Sequence, residues 1–490
     1  MSARPLPTST PAARGVDPAR ILAFLDALDS ADDIEPHSLM ILRHGQVVTA
    51  GWWNPYTPDR LQLLYSLSKS FTGTAAALAA AGKLIDLDAP VISYFPEFAA
   101  DITDPRSRAM LVRHVATMSS GHLGETLDAA RALDPEELVR GFLLLPPERD
   151  PGTVFAYNQP TTYTLAAIVQ RVTGRPLTAY LRPRLLDPLG IGQAAWLSDR
   201  TGRELGFSGL HTTTDAVARL GELYLRRGVA RGERLLPEDW VTEATRPHVA
   251  TAGGMGGPGR EDWDLGYGCQ FWMSRHGYRG DGAYGQFCLV LPEQDAVIVT
   301  TAETERMQEM LNLVWAHLLP AFGPAPLTGR EAAERALRER LAGLALPPAP
   351  GRGAPPAPGR GAPPGRADDW AAAAFVPAGG RCADQPGLSA VTVRGEPGGW
   401  TVTLTDDGHD LPLRLGGDGW TVTEDPVPVA VSGGWTDATT LGLDLLFLET
   451  PHHLLLTCSL PDRAFTARWS TQPLHGGPLR ARRAPRPPSP

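Results

Sequence analysis

Ser66 and Lys69, three residues apart in Ser66-Leu67-Ser68-Lys69, are the pair in this sequence with the most chemistry to offer. Residues at this spacing share one helix face, so Lys69 reaches Ser66 without any tertiary assumption. Ser66 stands where a loop enters a predicted helix. There the backbone N–H groups lack intrahelical partners and the macrodipole is positive. Both favour an oxygen that carries negative charge as it attacks a carbonyl. A buried, neutral amine beside it would accept the serine proton, as an activated nucleophile requires. The same residues also describe a helix N-cap beside a solvated lysine, and Ser-x-x-Lys alone is a weak pattern. Two features favour chemistry. The segment around Lys69 is apolar, and lysine occurs only at Lys69 and Lys83, with arginine as the strong base elsewhere. Arginine stays protonated, whereas a desolvated lysine sheds its proton. A position that must pass through the neutral amine cannot use arginine. Lys83 needs no such explanation.

Several elements must position this pair. Helical periodicity marks Asp17 to Leu28, and the small-sided run from Ser66 to Ala81 predicts a central, close-packed helix stopped by Gly82. Ser38–Arg43 and Val47–Trp53 read as a hairpin across His44-Gly45. Gln286–Leu291 and Ala296–Thr301 read as a second hairpin, closed by an amphipathic helix over Met307–Leu319. Strands at both ends with helices between predict one sheet built from both ends of the region. The fold class is α/β with a helical insertion. The run Ala345–Arg366 is a Pro/Gly/Arg linker that cannot pack a core. Short strands separated by Gly/Asp turns follow. The expected organisation is a flexible N-terminus over 1–16, a main domain over 17–344, a linker over 345–367, a small all-β domain over 368–474 and a disordered tail over 475–490.

The segment Tyr65-Ser66-Leu67-Ser68-Lys69-Ser70-Phe71-Thr72-Gly73, followed by Gly82-Lys83-Leu84-Ile85-Asp86-Leu87-Asp88, resembles the nucleophile region of class C β-lactamases and penicillin-binding-protein-like serine hydrolases. The resemblance spans about residues 17 to 320. It implies an antiparallel sheet flanked by helices, with a helical subdomain forming the cleft, and an acyl-enzyme on Ser66 with Lys69 as base. Pro151 to Asn158 resembles the segment that supplies a catalytic tyrosine, here Tyr157. To act as a base near neutrality, that phenol would need a lowered pKa. The family pattern is Tyr-x-Asn; here Gln159 stands in the Asn place and Asn158 lies between. Either amide is a candidate partner for Lys69 or for a substrate carbonyl.

Acyl transfer also needs donors aimed at the developing oxyanion. The resemblance assigns one to the Ser66 N–H and the other to an edge strand bearing Lys-Thr-Gly or His-x-Gly. Here Gly280-Asp281-Gly282 replaces that motif, Gly282 lines the site, and Ala283 would supply the second N–H. The basic residue that helps hold a substrate carboxylate is missing; Arg279 and Arg275 are the candidates to replace it. This departure favours ester, amide or peptide substrates over β-lactams. A plain β-turn also accounts for Gly280-Asp281-Gly282.

Composition excludes other classes. A net charge of -9 argues against nucleic acid as a partner. No stretch reaches membrane-span length, and Met1–Arg14 lacks the apolar core of a signal peptide, which points to a cytoplasmic protein. Cys269, Cys288, Cys382 and Cys458 lack metal or redox spacing and read as buried thiols. No metal or organic cofactor is expected. Trp400, Trp420 and Trp435 read as core packing rather than a carbohydrate platform. The predicted partner is a small ester, amide or peptide. Homodimerisation is one role open to the β-domain, beside covering the cleft mouth and stabilising the fold. Two alternatives stand beside the hydrolase: an acyltransferase on the same acyl-enzyme, and a non-catalytic binding protein or scaffold that keeps the fold.

Overall fold

The computed structural model describes residues 5–252, 259–349, 367–396, 399–416 and 419–486. The chain divides into two compact units, one of 1–51, 63–342 and 485–490, the other of 52–62 and 343–484.

In the first unit, helix α1 (Pro18–Ser30) starts at Asp17, whose carboxylate accepts from Ala19 N–H, with proline at the first helical position. Strands β1 (Glu35–Arg43) and β2 (Gln46–Trp52) form the first hairpin. Helix α2 (Ser68–Ala81) follows, then α3 (Gln159–Thr173) and α4 (Thr214–Leu225). Strands β3 (Trp272–Met273), β4 (Tyr278–Gly282), β5 (Gln286–Leu291) and β6 (Ala296–Glu303) return to the same sheet. Its order is β2-β1-β6-β5-β4-β3. The two ends of the region therefore meet, with Ile41 opposite Ile298 in the antiparallel β1–β6 pair. Every residue of β1, β5 and β6 is buried, which explains their continuous apolar runs. The alanines of α2 leave room for α3 alongside it.

The second unit is a nine-stranded, barrel-like sheet: β7 (Ala372–Pro377), β8 (Leu388–Glu396), β9 (Gly399–Asp406), β10 (His409–Leu415), β11 (Thr421–Thr423), β12 (Val429–Trp435), β13 (Thr440–Phe447), β14 (His453–Ser459) and β15 (Ala464–Trp469). Their order is β10-β9-β8-β7-β15-β14-β13-β12-β11, with β7 and β15 parallel. Trp435 is buried against Trp400, 4.9 Å between ring centroids, while Trp420 donates its indole N–H to Leu346 O. Of the three, Trp435 belongs to the core, and Trp400 and Trp420 are half-buried at its edge.

Four features depart from expectation. Ser66 precedes α2, on the 3-10 turn Tyr65–Leu67, rather than opening the α-helix itself. The N-terminal stretch is held from Pro7 onward, because Ser9 N–H donates to Val47 O and Val47 N–H to Pro7 O. The tail carries a 3-10 turn, Leu479–Ala481, with Leu479 buried and its N–H on Asp406 Oδ2. Residues 52–62 cluster with the second unit, and Trp53 and Tyr56 are buried. Most of the predicted linker and the Gly253-Gly254-Met255-Gly256-Gly257 run lie outside the described residues. The four cysteines are free and buried. Among the described residues, no helix is long and apolar enough to cross a membrane.

Candidate active site

The turn carrying Ser66 is held by strained backbone. Tyr65, directly before it, has a left-handed φ of 47°, costly for a bulky residue. Its buried ring packs edge-on against Tyr284, 5.5 Å away. Tyr284 is left-handed too, at φ 68°, and follows Ala283 in the turn between β4 and β5. Gln286 pins that turn: its Nε2 donates to the carbonyls of Ala283 (3.1 Å), Tyr284 (3.2 Å) and Ala302 (2.6 Å). Strand β4 then runs against the serine turn. A Cβ on Gly282 would lie 2.2 Å from Leu64 O and 3.1 Å from Leu67 N, and one on Gly280 would lie 3.0 Å from Ser70 Oγ. At Gly282 only glycine permits so close an approach. Ala283 and Ser66 are thereby brought to neighbouring segments.

Lys69 projects from the first turn of α2 and is 1% exposed. Its Nζ meets three oxygens: Ser66 Oγ at 3.1 Å, Gln159 Oε1 at 2.7 Å and Phe207 O at 2.8 Å. Burial lowers its pKa to about 7, against the opposing charges of Glu125 and Asp281. Gln159 Oε1 and Phe207 O can only accept; as an ammonium Lys69 donates to all three oxygens, and as a neutral amine it would keep its two hydrogens on this pair and leave its lone pair for Ser66 Oγ. Ser66 itself is half-buried and open to a substrate.

Tyr157 lies just before α3, with Lys69 Nζ 4.7 Å from its ring centroid. The ring stacks on Trp272 at 5.3 Å and meets Tyr267 edge-on at 6.1 Å. Burial pushes the phenol pKa well above its ordinary value, although hydrogen bonding with Ser66 and Trp272 works in the other direction. The lowered phenol pKa expected from the sequence is therefore not found. In this environment the Tyr157 phenol stays protonated, while the Lys69 amine is the more readily deprotonated of the two.

The other candidates separate. Gln159, not Asn158, faces Lys69. Asn158 is fully buried, and its Oδ1 accepts from Thr126 N and Oγ1, both at 3.0 Å. Arg279 does not serve the cleft. It is fully buried on β4, its Nε donates to Asp281 Oδ2 at 2.8 Å, and its Nη1 is spent on Asp262 O, Met273 O and Ser274 Oγ. Arg275 is committed to Asp262. His114 accepts the Leu111 N–H through Nδ1, a structural bond.

Sequence reasoning missed Phe207, Glu125, Trp272 and Tyr267. Phe207 acts through its carbonyl, which no residue type announces; Gly206 and Gly209 near it are both at positive φ. A Cβ on Gly206 would lie 2.3 Å from that of Ala166 on α3, so glycine lets this loop reach Lys69. Glu125 caps the chain at Thr126, Leu127 and Gln159, accepting the N–H of each. Nothing local in the sequence marks it.

A model of the Beta-lactamase family matches residues 24–321. Over 321 residues the chain is 28% identical to the 6-aminohexanoate-dimer hydrolase of Paenarthrobacter ureafaciens, covering 60% of this chain and 81% of that protein. It is 27% identical over 217 residues to Esterase EstB of Burkholderia gladioli, covering 38% of this chain and 55% of the esterase. Among solved structures, that of SurE aligns with a TM-score of 0.50 at 18% identity, over 87% of this chain and 93% of that one.

Proposed function

The chain belongs to the beta-lactamase family, and from that premise we propose that it is a serine hydrolase of esterase or amidase type working through an acyl-enzyme on Ser66. The observation that carries this reading is the Lys69 amine. It is buried, lies 3.1 Å from Ser66 Oγ, and has two pure acceptors, Gln159 Oε1 and Phe207 O, as its other partners, so that the neutral amine would turn its lone pair to the serine. Such a group removes the serine proton as the Oγ–carbonyl bond forms. The Ser66 and Ala283 N–H groups receive the oxyanion, supported by the close approach of Gly282 to the serine turn. The proton held by Lys69 passes to the leaving group, with the Tyr157 hydroxyl beside Ser66 as the donor that completes the relay. Water then adds to the acyl carbonyl as Lys69 takes its proton, and that proton returns to Ser66 Oγ as the acyl–oxygen bond breaks to release the acid.

An ester or amide fits better than a β-lactam with an obligatory carboxylate, because Arg279 and Arg275 are committed to Asp281 and Asp262. Relatives named as an esterase and as a 6-aminohexanoate-dimer hydrolase support the same class. The test is a fluorophosphonate label and a p-nitrophenyl acetate burst. Wild type should label on Ser66 and show a burst of one equivalent of nitrophenolate; Ser66→Ala should do neither. Full turnover by Ser66→Ala would end the proposal.

A further inference from the structure

The helix that brings Gln159 to Lys69 is capped from another part of the chain. An N-cap asparagine ordinarily turns its side chain onto the first turn of its own helix. Asn158 makes no such bond to α3; its Oδ1 takes the N–H and the hydroxyl of Thr126 instead, both at 3.0 Å. Pro160, at the second helical position, has no N–H, and Thr161 N–H turns to Asn158 O at 3.2 Å. The N–H of Gln159, at the first position, has no acceptor within the helix. Glu125 accepts it, with Oε2 at 3.1 Å and Oε1 at 3.3 Å. The same carboxylate takes the N–H groups of Thr126 and Leu127, each at 2.9 Å, at the head of the short helix Leu127–Leu133. The two segments clasp each other: residue 125 holds 159, and residue 158 holds 126.

The clasp grips the residue that carries an acceptor for Lys69. Hydrogen bonds run from Glu125 to the nucleophile without a gap. Gln159 N–H lies on the carboxylate, Lys69 Nζ lies 2.7 Å from Gln159 Oε1, and Nζ lies 3.1 Å from Ser66 Oγ. Displacing the main chain of residue 159 displaces Oε1 with it, and small errors in alignment are costly at a reacting centre. Glu125 also brings charge. The charges that act on Lys69 are those of Glu125 and Asp281, while Tyr157, with its ring 4.7 Å from Nζ, stays protonated. Asp281 is paired with Arg279, whereas Glu125 is exposed and bound by main-chain N–H groups.

We propose that Glu125 is a positioning residue for acylation: its carboxylate fixes Gln159 at the head of α3 and, through Gln159 Oε1, aligns the Lys69 amine with Ser66. This rests on the serine-hydrolase reading. Its negative charge favours the ammonium form of Lys69 and so opposes the effect of burial.

The experiment is a double-mutant cycle on the nitrophenolate burst, read on the plateau above about pH 9, where protonation of Lys69 no longer enters. Loosening Gln159 costs less than deleting its amide, so Glu125→Ala should lower the plateau about fivefold. In a Gln159→Leu background the same change should cost less than about twofold, because the amide it positions is gone. A purely structural role gives the same loss in both backgrounds. Should Glu125→Ala not fold, Glu125→Asp, which withdraws the carboxylate by one methylene, takes its place in the cycle with the same expectation. Glu125→Gln keeps an acceptor and drops the charge. Its plateau should stay within about threefold of wild type, while the midpoint of the rise falls by about half a pH unit at low salt and by less at high salt. An undiminished plateau in the cycle variant, an equal loss with and without Gln159, or an unmoved midpoint in Glu125→Gln overturns the assignment. With wild-type Ser66 still labelled by fluorophosphonate, any of these refutes this inference alone. A wild type that neither labels nor gives a burst refutes the hydrolase reading with it.

Discussion

Replacing Gln159 with glutamate tests the chemistry at its centre, because it changes one charge and almost no volume. Lys69 titrates at about 7, so half of it is the neutral base at neutral pH. Acylation by wild type should therefore rise with pH and level off above about 8. In Gln159→Glu an anion replaces a neutral oxygen 2.7 Å from Nζ. At an effective dielectric constant of about 20, a unit charge at that distance favours the ammonium by about 6 kcal/mol. Residue 159 is only half-buried, so solvent removes much of this, and a rise of about 2 pH units is the working figure. The sign is fixed: an added negative charge stabilises the protonated amine, so the rise in rate moves to higher pH. At pH 7 the neutral fraction falls from about one half to about one hundredth, about a fifty-fold loss, recovered near pH 10. The assay is stopped-flow nitrophenolate burst against pH. Gln159→Leu is the control. It removes one acceptor from the ammonium and should shift the rise the other way, with a plateau lowered about tenfold because the lone pair is less well aligned. A midpoint unmoved within half a unit in Gln159→Glu would refute Lys69 as the acylation base.

Lys69→Met should abolish acylation and raise thermal stability at pH 6 by about 1–3 kcal/mol. Burial holds the lysine below its ordinary pKa of 10.5, so its cost to the fold is full below pH 7, and the gain should shrink as pH rises from 7 and vanish above about 10.5. Gly282→Ala should lower kcat at least tenfold and stability by about 1–3 kcal/mol, since its Cβ would lie 2.2 Å from Leu64 O; kcat and chemical denaturation report the two effects. Asp262 is a hub for Arg275, Gln308 and Trp315, and its pKa is lowered to about 2 from 3.8. The depression contributes about 2 kcal/mol above pH 4 that is lost as pH falls toward 2. Denaturant melts at pH 6 and pH 3 should show about half of that loss in wild type and a smaller one in Asp262→Asn.

What could be read in the sequence was local. Ser66 and Lys69 share a helix face by spacing alone, and the run of alanines after them called for a helix with close neighbours. The hairpins at the two ends of the main region carry their turns at His44-Gly45 and Pro292–Asp295, and the single sheet followed from them. What could not be read depends on distant segments meeting. Phe207 O contacts Lys69 across 138 positions of chain, and a main-chain oxygen carries no residue-type signal. Arg279 looked available because its direction is invisible in one dimension, yet Asp281 two residues on was the clue, since alternate strand residues share a face. A basic role for Tyr157 required its phenol pKa to fall. That expectation left out burial, which comes from Tyr267 and Trp272, more than a hundred residues away in sequence.

The departure from Tyr-x-Asn shows why a motif is better understood as a set of atoms than as letters. What the Lys69 amine requires is an oxygen with no proton of its own to offer, at hydrogen-bond distance, on the side away from Ser66. A glutamine carries the same amide as an asparagine on one more methylene. Gln159 sits at the first position of α3, where Glu125 accepts its N–H and holds the residue in place, and from there its Oε1 reaches Nζ at 2.7 Å. Asn158, nearer to the expected letter, turns instead to Thr126 and stitches the loop to the helical part of the unit. The substitution thus changes side-chain length while the acceptor remains. A donor-only replacement at 159, such as lysine, would be the change that the amine could not accommodate.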